Sequence, residues 1–202
     1  MVALGQDSHR FVTGEFDSDG SATHIALYSA ASNAASNAAS NAASNAASNA
    51  TSINTNGNSE KSKPLVLGGV IFEGSGPALD GNSDSDVVLH ALCNAISGIT
   101  TVNILGSIAD KMCFEEGIKD SSLYVLEALK YLDNKRISHI SFSIECKRPI
   151  ISPMIPEMRR RISEITGVPS SSIGITATSG NGLSDFGKGL GIQALCIVTT
   201  EP

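Results

Sequence analysis

The sequence predicts an α+β fold: one domain in which helices pack on one face of a mainly four-stranded sheet, with a small N-terminal hairpin. Two patterns and a length carry this expectation. Runs 2–5, 136–146, 173–179 and 191–200 have the short apolar or alternating character of strands, whereas 82–98, 120–135 and 153–167 repeat apolar residues at helical spacing. Strands come first and are then mixed with helices, the order of an α+β domain. The chain has 202 residues, 41% of them hydrophobic, which is enough for one core.

The first strand, VAL and its continuation GQDSHR, puts Asp7 and His9 two residues apart and therefore on the same side of the strand. From about residue 17 to residue 62 the chain is rich in Ser, Thr, Asn and Gly, and ASNA repeats five times over 31–50. With almost no apolar side chain to bury, this stretch is expected to be a disordered low-complexity insertion, with a partial alanine-rich helix as the alternative. His24 lies within it and is discounted as a ligand. The domain thus spans 1–202 with one interruption, leaving a core of about 150 residues.

PLVLGGVIFEGSGPAL (64–79) reads as a strand, a Gly-Gly bend and a second strand, pairing locally or with Val2–Gly5. NSDSDVVLHALCNAISG (82–98) opens with capping Ser and Asp residues and closes near Gly98. In 120–135, Leu123, Leu126, Leu129 and Leu132 recur at helical spacing behind a capping Asp120 or Ser121. RISHISFSIEC (136–146) reads as a strand covered on both faces, and 153–167 as a helix with Met158, Ile162 and Ile165 inward. The strands 173–179 and 191–200 flank a glycine-rich loop.

A net charge of -6 argues against a nucleic-acid or anionic-membrane partner, and Lys147-Arg148 and Arg159-Arg160-Arg161 are local clusters suited to a solvated helix face. No apolar run is long enough to span a bilayer and no signal-peptide pattern follows Met1. Cys93, Cys113, Cys146 and Cys196 are scattered singles, as expected of free thiols in a reducing compartment.

An Asp and a His converging from one strand suit a divalent metal, zinc above all, if a third ligand exists. His90 is that candidate. Asp86, His90 and Asn94 lie four apart on one helix face, so Asp86 could take the histidine's second nitrogen and fix its tautomer; the alternative is a surface histidine on a polar face. In TATSGNGLSDFGKGLGI (176–192), Thr178 and Ser179 with the following glycines can form a nest of hydroxyls and N–H groups for phosphate, with Lys188 as a cation; a plain glycine hairpin is the alternative. ECKRPIISPMIPEMR (145–159) sets prolines about a short apolar loop able to recognise a planar ligand through its backbone, or merely to connect strand and helix.

GQDSHRF (5–11), LGG (67–69), NSDSDVVLHAL (82–92), KRPIISPMIPEMR (147–159) and ATSGNGL…GKGLGI (177–192), in this order, resemble the 2-C-methyl-D-erythritol 2,4-cyclodiphosphate synthase family. The resemblance implies a homotrimer with active sites between subunits. It implies zinc on Asp7, His9 and His90, and a second ion, magnesium or manganese, on the substrate diphosphate. It implies closure of 4-diphosphocytidyl-2-C-methyl-D-erythritol 2-phosphate to the 2,4-cyclodiphosphate with release of CMP. Thr178 and Ser179 match hydroxyls that touch phosphate. Cys146, Pro149, Ile150, Ile151 and Ser152 match the cytosine-binding loop, and Asn82 and Ser83 a further phosphate contact. Several positions depart from the family pattern. Asn82 stands for a histidine, Ser85 for the glycine of SDGD, Asn181 for a metal-ligating glutamate, Lys188 for an arginine and Leu190 for a glutamate. A zinc-bearing trimeric scaffold with impaired catalysis is therefore the alternative to the lyase. A bacterial cytoplasm is the expected location, with an organelle stroma as the second choice, since a chain that begins in its first strand leaves no room for a transit peptide.

Overall fold

The structure is a computed structural model and describes residues 1–12 and 63–201. The expected disorder of 17–62, with His24, falls outside the described residues. Strand β1 (Val2–Arg10) leads to a hairpin of β2 (Val66–Leu67) and β3 (Val70–Ile71), then helix α1 (Val87–Thr100). Helix α2 (Ser107–Asp110) runs into a π-helical turn at Lys111–Glu115 and is followed by α3 (Ser121–Leu129). β4 (Arg136–Glu145), α4 (Ile155–Thr166), β5 (Ile173–Thr178), α5 (Asp185–Lys188) and β6 (Gly191–Glu201) complete the chain.

The main sheet has the order β1-β6-β4-β5. β6 is antiparallel to both β1 and β4, whereas β5 runs parallel to β4, with α4 supplying the crossover that a parallel pair needs. The helices cover one face. Ile140, Phe142 and Ile144 of β4 and Ile192, Ala194, Cys196 and Val198 of β6 are buried there beneath Leu89, Leu92 and Ile96 of α1 and Met158 and Ile162 of α4. Burying each such Leu, Ile or Phe side chain contributes about 1.5–3 kcal/mol. On the opposite face Val2, Leu4 and Ile197 stay exposed, and so do His139 and Ser143 of β4, so β4 is not covered on both sides as its sequence had suggested.

The local expectations are met with shorter or shifted limits. The hairpin pairs with itself across Gly68 and Gly69, both at positive φ as a two-residue turn of this hand requires. Helix α1 continues past Gly98 to a left-handed Thr101 cap. Gly98 instead allows close approach, because a Cβ there would sit 3.0 Å from the Ala3 methyl. In α3, capped by Asp120, the buried side chains are Ser121, Ser122, Tyr124, Val125 and Ala128, while Leu123 and Leu126 point outward. The four cysteines are free and buried. No helix among the described residues is long and apolar enough to cross a membrane.

Candidate metal centre

Three features of the chain bring Asp7, His9 and His90 together. β1 presents Asp7 and His9 on its helix-facing side. Gly5 lets α1 lie directly on β1: a Cβ there would fall 2.1 Å from the Ala91 carbonyl oxygen and 2.2 Å from the Ala95 nitrogen. Asn94 Nδ2 then donates to the Gln6 carbonyl at 2.9 Å, fixing the helix along the strand and setting His90 over Asp7. The histidine is buried, not a surface group on a polar face.

Asp7 Oδ2 lies 3.1 Å from His9 Nε2 and 3.0 Å from His90 Nδ1, and the two ring nitrogens are 3.3 Å apart. The outer ring atoms fix both tautomers. His9 Nδ1 is 2.7 Å from the Asp80 carbonyl oxygen, which can only accept, so Nδ1 carries the proton. His90 Nε2 is 2.8 Å from Ser121 Oγ, whose own hydroxyl donates to Asp84 Oδ1; the serine therefore accepts from Nε2–H. With both rings neutral, two nitrogen lone pairs and a carboxylate face one another, an arrangement that calls for a cation between them. Ligands about 2.0–2.2 Å from a tetrahedral ion lie about 3.3–3.6 Å from each other, so the observed 3.0–3.3 Å needs only a few tenths of an ångström of opening. The donor set fits zinc.

Protonation tells the same story. Burial disfavours the Asp7 carboxylate, yet its hydrogen bonds to His9 and His90 outweigh this and hold it far below the usual carboxylate range. Burial likewise opposes a charged His9, and the Asp7 contact raises its pKa all the same.

Asp86 has a different role from the one its spacing suggested. Fully buried, its carboxylate accepts from Val88 and Leu89 as the cap of α1 and from the Gly68 and Gly69 amides at 2.8 and 2.6 Å, so it stitches the hairpin to the helix, and these bonds are to backbone amides and not to the His90 ring. Burial pushes its pKa up, to about 6, against the pull of those amides. The outer partner of His90 is the Ser121–Asp84 pair, which the sequence did not reveal because Ser121 is 31 residues away from the ring it meets.

A pocket of about 310 Å³ opens beside the three ligands, and Asn82 and Ser83 line it together with Ala109, Phe114 and Tyr124. The other predicted residues form a second cluster. Cys146 N donates to the Thr178 carbonyl at 3.1 Å and Lys147 N to the Phe186 carbonyl at 3.0 Å, tying the 146–152 loop to both arms of the glycine-rich segment. Pro149 and Ile151 are buried, whereas Ile150 and Ser152 are exposed. Burial, with the nearby Glu145 charge, raises the Cys146 thiol to about 11. Thr178 and Ser179 are exposed, and Thr178 Oγ1 accepts from Gly180 N at 3.2 Å. The segment is no plain hairpin: it folds as a turn at Gly180–Gly182 and the short α5, where Lys188 pairs with Asp185 at 3.1 Å.

Asn181 is exposed and left-handed (φ 49°), with its amide oxygen facing Ser179 Oγ at 3.4 Å. Neutral oxygens alone do not make a protein-held site for magnesium, which favours charged oxygen ligands. The two clusters do not meet within one chain. Both lie at the same end of the sheet, but the metal ligands are on the β1 edge and Thr178 on the β5 edge, three strand spacings or about 14 Å apart.

A family model described as the YgbB family matches residues 52–201. The 2-C-methyl-D-erythritol 2,4-cyclodiphosphate synthase of Chlamydia trachomatis serovar D is 48% identical over 141 residues, 69% of this chain and 79% of its own. That of Chlamydia caviae is 49% identical over 143 residues, 70% of this chain and 81% of its own. Among solved structures, the CDP complex of IspF from Plasmodium falciparum matches with a TM-score of 0.64 at 17% identity, covering 100% of this chain and 95% of its own. The synthase of Plasmodium vivax matches at 0.62 and 18% identity, covering 99% and 96%. Matched over most of its length and nearly half identical to such relatives, the chain belongs to the YgbB family, the 2-C-methyl-D-erythritol 2,4-cyclodiphosphate synthases.

Proposed function

We propose that this protein converts 4-diphosphocytidyl-2-C-methyl-D-erythritol 2-phosphate to 2-C-methyl-D-erythritol 2,4-cyclodiphosphate and CMP, as a metal-dependent phosphorus–oxygen lyase. The observation that carries the reading is the facing lone pairs of His9 and His90 around the Asp7 carboxylate, with both outer ring nitrogens already engaged. Bound there, zinc supplies a positive charge that polarises a phosphate oxygen. Everything else falls to positioning, because the 2-phosphate needs only to be held in line with the inner diphosphate phosphorus while repulsion between the two is relieved.

Asp7, His9 and His90 hold the metal, and Ser121, Asp84 and the Asp80 carbonyl keep the rings turned toward it. Asn82 and Ser83 border the phosphates. Thr178 and Ser179 donate hydroxyl hydrogen bonds to the diphosphate, with the Lys188 ammonium nearby. Cys146, Pro149, Ile150, Ile151 and Ser152 present backbone groups to the cytosine, which needs no particular side chain. A second ion, magnesium or manganese, would have to draw its charged oxygen ligands from the substrate, because Asn181 could offer it only a neutral amide oxygen.

The assignment calls for a homotrimer: the two clusters lie at opposite sheet edges, and they converge when the β5 edge of one subunit meets the β1 edge of the next. The apolar Val2, Leu4 and Ile197 on the open sheet face suit burial in such an assembly. A cytoplasmic setting agrees with the free cysteines. The test is phosphorus NMR of the zinc-loaded protein with the cytidyl substrate and magnesium: cyclic diphosphate and CMP should appear in equal amounts. Substrate left intact, or hydrolysed to an open-chain phosphate, overturns the reading.

A further inference from the structure

We propose that Lys63 clamps the loop behind the metal centre, holding Ser85 in a left-handed backbone conformation so that residues 80–86 keep both histidines turned toward the ion. The proposal rests on the reading of Asp7, His9 and His90 as metal ligands.

Ser85 is fully buried and has φ 59°, a conformation that an L side chain other than Asn or Asp adopts uncommonly. Something must hold it there. Lys63 Nζ donates to Ser85 Oγ at 2.7 Å, to the Ser83 carbonyl at 2.8 Å and to the Gly81 carbonyl at 3.3 Å. An ammonium has three N–H donors, and these three acceptors use all of them. Lys63 is thereby committed to the loop and not to a substrate phosphate. Burial lowers its pKa, while Asp84 and Asp80 nearby favour its charge.

The clamped loop carries the outer support of both rings. The Asp80 carbonyl takes the His9 proton, and Ser83 Oγ accepts from Ser85 N at 3.1 Å while touching His90 Nε2 at 3.5 Å. Asp84 accepts from Ser121, the hydrogen-bond partner of His90. Gly81 lies between Ser85 and His9 with no room for a side chain, since a Cβ there would sit 2.5 Å from Ser85 Oγ and 3.3 Å from the His9 ring. Relaxation of Ser85 would therefore disturb both ligands together.

The experiment compares Lys63→Met, Ser85→Gly and the double variant with the unmodified protein, reading zinc affinity by chelator competition and amide hydrogen exchange of the 80–90 segment in metal-free protein. Lys63→Met should weaken zinc about tenfold or more, in the range seen when outer supports of a metal ligand are lost, and speed exchange in the loop. Glycine adopts positive φ freely, so Ser85→Gly alone should change zinc affinity less than about twofold, and the double variant should recover to within about threefold. If Lys63→Met alone does not fold, the double variant should. Equal zinc loss from Lys63→Met in both backgrounds, unchanged exchange, or a double variant no better folded than Lys63→Met would overturn the clamp. Absence of zinc binding by the unmodified protein would instead refute the metal reading, and the exchange comparison would then decide the clamp by itself.

Discussion

At the scale of single residues, a ligand is defined as much by what stands behind it as by where it points. His90 is oriented by Ser121 and Asp84, while Asp86, its neighbour by helical spacing, is spent on four backbone amides. Ser121 and Asp86 should therefore fail differently. Ser121→Ala should weaken zinc about 10–100-fold with little loss of fold. Asp86→Asn, which turns an amide donor toward buried N–H groups, should cost about 1–3 kcal/mol of stability and leave zinc affinity nearly unchanged. Thermal melts and zinc titrations of both variants separate the two roles; zinc loss in Asp86→Asn without a drop in Tm would contradict them. Proton linkage gives a second expectation. The folded pKa of His9 is raised above its ordinary 6.5, so in metal-free protein its proton stabilises the fold fully below that value, and the contribution disappears as pH rises through the folded pKa. Zinc must displace that proton. Its affinity should then fall about tenfold per pH unit, or more steeply, below the raised value and level off above it. Asp7, already ionised there, adds nothing to the slope. Zinc competition measured from pH 6 to pH 9 reads this directly, and a flat profile would count against His9 as a ligand.

At the scale of elements, the centre exists because α1 lies on β1 with no side chain between them at Gly5. Gly5→Val would force the two apart, since the first added carbon already meets Ala91 and Ala95 backbone atoms at little over 2 Å. The expected cost is about 3 kcal/mol or more, with loss of bound zinc as His90 moves off Asp7. A variant with unaltered Tm and zinc content would show that helix and strand need no such closeness. This contact marks the limit of what the sequence made legible. Strand parity put Asp7 and His9 on one side, and the capping pattern marked the start of α1. The Gly68-Gly69 bend was legible, but neither periodicity nor spacing told that Gly5 and Gly98 were contact positions. The leucines of α3 teach the same lesson: spacing identifies residues that share a face, but Leu123 and Leu126 share the uncovered one. Ser121 reaches His90 only through tertiary packing of α3 on α1, for which no local pattern exists.

At the scale of the whole molecule, two half-sites sit at the two edges of one sheet, and the low-complexity segment enters between Val12 and Lys63. Loop-closure entropy grows slowly with length, so a long connection there burdens the core little. Replacing residues 18–61 by a short Gly-Ser bridge, with Lys63 kept, should leave oligomeric state, zinc content and turnover nearly unchanged, as sizing chromatography and metal analysis would report. A monomeric or zinc-free product would make the segment structural. The central claim is that the Asp7–His9–His90 centre holds the metal on which cyclisation depends. Its most direct test measures bound zinc and CMP release together for the unmodified protein and for His90→Ala. The account predicts about one zinc per chain and steady CMP release in the former, and loss of both in a still-folded His90→Ala; full zinc occupancy or undiminished CMP release in that variant would contradict it.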